Sequence, residues 1–130
     1  MREYTFDLAQ VRSLEAWWDQ YLIVVQGPGS ELFGRNRDAY SDSLSGGPGG
    51  PQAPCRFVFT NIGGVRSDEL LECTIRELNL KKTQCHSSAI GQIESQIDLL
   101  RFGIGETLFN WIIDPTLGVD GIEVVVRGGA

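Results

Sequence analysis

Apolar positions recur at two different spacings along the chain, and the spacings divide it into strands and helices. Residues 3–8, EYTFDL, alternate Tyr4, Phe6 and Leu8 with polar neighbours. That two-residue period predicts a short strand with one buried face. In 11–30, VRSLEAWWDQYLIVVQGPGS, the residues Leu14, Trp17, Tyr21, Leu22 and Val25 follow a helical period instead. Ser13 is placed to cap that helix, and Gly27-Pro28-Gly29 to end it. Of the paired tryptophans, Trp17 and Trp18, one is expected in the core and one at its rim.

Asn36 predicts the cap of a second helix that runs to about Ser45, with Gly46 as its stop. GGPGGPQAP, residues 46–54, reads as a flexible loop. CRFVFTNI, 55–62, is rich in β-branched and aromatic residues and predicts a buried strand. From Ser67 to Gly103 the pattern is helical in two parts. Ser67 is placed to cap the first, with Leu70, Leu71, Ile75 and Leu78 as its stripe; Ser88 is placed to cap the second, with Ile93, Ile97 and Leu100. GETLFNWIIDP predicts a third helix that stops before Pro115. GIEVVVRG, 121–128, is a continuous apolar run and reads as a strand covered on both faces. Strand, helices, strand, helices, strand is the order of α/β crossovers on a small parallel sheet.

Length and charge narrow what such a fold can do. With 130 residues the chain fits one domain, 1–130, and can bury a core. Its net charge of −6 argues against a nucleic-acid or anionic-membrane surface and permits a cationic partner. The three cysteines, Cys55, Cys73 and Cys85, are scattered, which is neither a disulfide framework nor a metal knuckle. Reduced thiols, no signal core at the N-terminus and no long apolar run together lead to the expectation of a cytoplasmic protein.

Catalytic signals are weak. His86 is the only histidine, and it adjoins Cys85, a spacing that turns the two side chains apart in a helix. No partner lies at zinc-ligand spacing. GGPGG lacks the Lys-Ser/Thr of a phosphate loop. No cofactor, no metal and no enzymatic activity are expected.

The remaining feature is LFGRNRDAYSDSLSGG, 32–47. Asp38 and Asp42 stand four residues apart and share one helical face, where like charges repel by a few tenths of a kcal/mol (roughly). Asp38 lies in the first turn and is favoured by the helix dipole; Asp42 is not. Two acids held together in this way suit a cationic partner. The stretch resembles the signature of the barstar family of intracellular ribonuclease inhibitors, through Phe33, Gly34, Asn36, Asp38, Ala39, Tyr40, Asp42 and Leu44 without gaps. The order of strands and helices is similar too, and the longer 62–103 segment resembles the barstar-like proteins of actinobacteria.

The resemblance implies a three-stranded parallel sheet packed by about four or five helices. It further implies an inhibitor that forms a 1:1 complex with a small, secreted, guanyl-preferring microbial ribonuclease and plugs its active site. Asp42 would enter the phosphate pocket, and Asp38 would meet cations at its edge. Phe33 and Gly34 would pack beside the guanine site, and Asn36 would shape the start of the helix. Ser45, Gly46 and Gly47 would offer close backbone approach. Leu32 stands where the family has a second aromatic, Arg37 where it has an apolar residue, and Gly47 where it sometimes has an aromatic. Asp114 and Asp120 are the nearest counterparts of the further acids that smaller members supply. The alternative from another class is a barstar-like immunity or regulatory module for a non-nuclease partner; a small hydrolase ranks last.

Overall fold

In the computed structural model, which describes residues 1–128, β1 (Arg2–Asp7), β2 (Cys55–Thr60) and β3 (Ile122–Val126) form one parallel sheet in the order β1-β2-β3. Five α-helices accompany it among the described residues: α1 (Leu14–Val25), α2 (Arg37–Leu44), α3 (Ser67–Lys82), α4 (Ile90–Arg101) and α5 (Leu108–Ile113). The α/β class with a three-stranded parallel sheet and five helices is the one the pattern predicts.

Register explains why one sheet face is covered. Tyr4, Phe57 and Val124 align across the strands, as do Phe6, Phe59 and Val126. The aromatics of that face meet Trp17 and Tyr21 of α1, and all five helices place residues in the same core cluster. The other face carries Glu3, Arg56 and Glu123 in one row and Thr5, Val58 and Val125 in the next. Val58 is buried between its neighbours but lies outside the core cluster. The molecule therefore has two layers, with helices on one side only.

Several local expectations change in tertiary context. β3 is an edge strand, half-buried at best; β2, between two neighbours, is the buried one. Trp17 and Trp18 are both in the core, because Phe33 and Tyr40 pack over the second. Ser67 is the first residue of α3 and follows Arg66, which makes no side-chain cap. Ser88 lies in a 3-10 turn ahead of α4, where His86 accepts from the Ser88 backbone N–H. Ile93, Ile97 and Leu100 are buried as the stripe requires. The 62–103 segment is thus mainly the α3–α4 pair, tied to α5 through Thr74, whose hydroxyl accepts from the Leu108 N–H at 2.9 Å.

Candidate functional site

Helix α2 begins where the sequence places its cap. Asn36 Oδ1 accepts from the Ala39 N–H at 2.8 Å, and Asn36 Nδ2 donates to the Gly34 carbonyl at 3.2 Å. The inner side of the helix is Tyr40, Ser43 and Leu44, all buried. Ser43 donates to the Tyr40 carbonyl at 2.7 Å, which leaves its oxygen to accept from the Tyr21 hydroxyl of α1, also at 2.7 Å. The Tyr40 hydroxyl donates to the Ile112 carbonyl of α5 at 2.7 Å. Burial pushes the Tyr21 phenol up to about 12 and the Tyr40 phenol well above its ordinary value, so both remain donors. These bonds fix α2 between α1 and α5.

Backbone fixes it a second time. The 46–54 stretch, expected to be flexible, lies against α2 so closely that a Cβ on Gly50 would stand 1.8 Å from the Ser43 carbonyl oxygen. A Cβ on Gly27 would stand 2.0 Å from the Gly50 oxygen, and one on Gly47 2.7 Å from the Asp42 oxygen. Gly47 N–H donates to that Asp42 carbonyl at 2.8 Å and Ser45 N–H at 3.1 Å, which satisfies an end of the helix. Gly46 takes a φ of +103°, a conformation open to glycine.

Anchored in this way, α2 turns Asp38 and Asp42 to solvent, with Ser45 on the same side. Neither aspartate has an ion pair among the described residues, although two arginines precede them. Arg35 adopts a φ of +52° and reaches back to Glu15 and, at 2.8 Å, to Asp19 on α1. The Arg37 guanidinium lies 4.9 Å from the centre of the Trp111 ring. Both cations are thus directed elsewhere, and the acidic face is left open.

The ten residues singled out in the sequence do not all face outward. Leu32 is 71% exposed, whereas Phe33 is buried, 5.7 Å from both the Trp18 and Tyr21 ring centres. The Phe33 side chain thus belongs to the core and not to the exposed face. Asn36, Arg37 and Asp38 line a groove of about 740 Å³ with Arg76 and Lys81 of α3; Asp42, Ser45, Gly46 and Gly47 lie outside it. Asp114 is exposed and lines a different hollow with Ile62 and Arg66, and Asp120 sits in the turn before β3. The structure brings neither into the groove with Asp38.

Arg35, Ser43, Trp111, Arg76 and Lys81 are the site features that sequence reasoning left out, together with the anchoring role of Tyr40. Tyr40 and Ser43 could be read from the α2 periodicity, since they fall opposite Asp38. Nothing local links α3 to this site. No group of three or more metal-ligating side chains is present among the described residues. All three cysteines are free; Cys55 and Cys73 are buried, and burial pushes the Cys55 thiol up. No helix among the described residues is long and apolar enough to cross a membrane. Comparison with known protein families, with curated proteins and with solved structures finds no match.

Proposed function

We propose that the chain is a barstar-like inhibitor of a small basic ribonuclease, acting inside the cell and plugging the active site with α2 and the loops beside it. The observation that carries this reading is the open Asp38–Asp42 face on a helix held rigidly from behind. A rigid, pre-formed acidic face loses little entropy on binding a cationic cleft. Asp42 acts as a phosphate mimic and accepts charge-assisted hydrogen bonds from the enzyme's cations, while Asp38 pairs at the rim. The net charge of −6 steers the encounter, so association slows as salt rises. Leu32 adds exposed apolar contact beside the acids.

The test is inhibition of purified guanyl-preferring secreted ribonucleases by the wild-type chain and by Asp42→Ala. The variant should fold normally and lose about 3 kcal/mol or more of binding, a scale taken from the type complex of the barstar family rather than from this structure. A loss of less than about tenfold, or roughly 1.4 kcal/mol, removes Asp42 from the role of phosphate mimic. A second reading, a module for a non-nuclease partner, is favoured by one feature: the groove beside Asp38, where Arg37, Arg76 and Lys81 stand with Glu15 and Glu77 and present charges of both signs.

A further inference from the structure

The two edges of the sheet are finished differently at the C-terminal ends of their strands. At β1 the last backbone groups are closed off by α1: Asp7 N–H donates to Gln20 Oε1 at 2.6 Å, and Gln20 Nε2 donates to the Asp7 carbonyl at 3.1 Å. At β3 no strand pairs with the outer edge among the described residues. Nor does Ile122–Val126 contain the Pro or Lys that commonly protects an edge.

Hydrogen-bond parity shows which groups face outward. Arg127 N–H donates to the Phe59 carbonyl at 2.8 Å, and Cys55 N–H donates to the Gly121 carbonyl at 2.8 Å, so the odd-numbered residues of this segment turn their backbone groups toward β2. The even-numbered residues therefore turn theirs away. Ile122 N–H is already used by the Val119 carbonyl at 3.1 Å, which leaves Val124 and Val126. Val126 is 46% exposed.

We propose that β3 is a self-pairing edge, through which two copies of this chain join antiparallel about a two-fold axis at Val125. In that register Val124 faces Val126 of the second copy, and each such pair exchanges two backbone hydrogen bonds. Glu123 then stands opposite Arg127 of the second copy on the open sheet face, with Cβ atoms about 5 Å apart. The charges fit. Within one copy a single Arg56 is shared between Glu3 and Glu123, at 3.2 Å from each, and Arg127 has no ion pair among the described residues. The seam gives Glu123 a second cation beside Arg56 and gives Arg127 an acidic partner. Two three-stranded sheets become one of six strands with all helices on one side. The inference is independent of the inhibitor reading, because it uses no residue of α2.

A seam of one short strand gives a weak dimer, with dissociation on the order of 10–100 μM. Sedimentation velocity of the full chain from about 10 μM to about 1 mM should show monomer converting to dimer. Val126→Pro removes an outward donor without removing a bond to β2, and should weaken dimerisation at least tenfold (roughly) with the monomer fold intact by circular dichroism. Glu123→Lys and Arg127→Glu should each be monomeric alone, yet form a heterodimer when mixed, because both seam pairs then regain opposite charges. This mixing experiment also decides the matter if the proline variant fails to fold. A chain that stays monomeric throughout, a dimer indifferent to Val126→Pro, or single variants that fail to complement one another would overturn the proposal.

Discussion

Around α2 the chain runs against itself backbone to backbone, whereas α3 and α4 meet through side chains. In the first region Gly27, Gly47 and Gly50 stand where any Cβ would strike a carbonyl. In the second, Gly91 in the first turn of α4 and Gly103 after its end have nothing within 4 Å of an added Cβ. The same residue type thus makes close approach possible in one place, and in the other leaves Gly91 in open space and lets Gly103 take a φ of +79°. The difference teaches that the glycine-rich frame of the acidic helix is a rigid support. A face that is fixed before it meets its partner keeps more of its interaction energy as affinity.

The contrast breaks first at Gly50. Gly50→Ala should cost about 3 kcal/mol or more, since the obstacle is the Ser43 backbone and α2 cannot shift without losing its bonds to α1 and α5. Chemical denaturation measures this, and a loss under about 1 kcal/mol would show the crossing to be pliable.

Alkaline pH should come next. The chain's three tyrosines lie at 4, 21 and 40, so none is in α3 or α4. The folded Tyr21 holds its proton to about 12 against an ordinary 10.0. The unfolded chain sheds that proton first, so stability is intact below about pH 10 and falls as pH rises from there toward about pH 12. Tyr21 alone should account for roughly 2–3 kcal/mol of that fall. Denaturation midpoints across this range check it, and Tyr21→Phe should flatten the slope.

Tyr40→Phe isolates one of the polar anchors. It leaves the Ile112 carbonyl buried without its donor and should cost about 1–2 kcal/mol. Thermal unfolding of the variant beside Asp42→Ala, which removes an exposed carboxylate and should stay within about 0.5 kcal/mol of wild type, separates the supporting side of α2 from its open side.

The smallest effect has the opposite sign. Gly91→Ala fills open space in a helix and should stabilise the protein by about 0.5 kcal/mol. A destabilised variant, seen in the same denaturation assay, would mean that α4 too is held by close backbone approach.

Much of this was legible in the sequence because it depends on neighbours in the chain. Tyr4 and Phe6 alternate, so β1 has one buried side; Asn36 can accept from Ala39, so α2 starts there; Asp38 and Asp42 are four apart, so they share a face. Ile93, Ile97 and Leu100 similarly marked the inner stripe of α4. The net charge of −6 added only that a cationic partner is permitted.

Other features depended on segments far apart in the chain, and no local pattern encodes them. Whether an apolar run such as Ile122–Val126 is central or at an edge depends on which strands flank it, and only the order β1-β2-β3 decides that. One tryptophan of the pair was expected at the rim, yet Trp18 joins Trp17 in the core because Phe33 and Tyr40, both later in the chain, pack over it. Arg35 and Arg37 precede Asp38 in sequence, yet they are drawn away by Asp19 of α1 and Trp111 of α5. The sequence alone established two acids on one helical face; folding decided that neither forms an ion pair among the described residues and that glycines pack closely behind their helix. The physical reason is that periodicity and capping act over one or two turns, while ion pairing and backbone packing are settled by whichever segments the compact chain brings together.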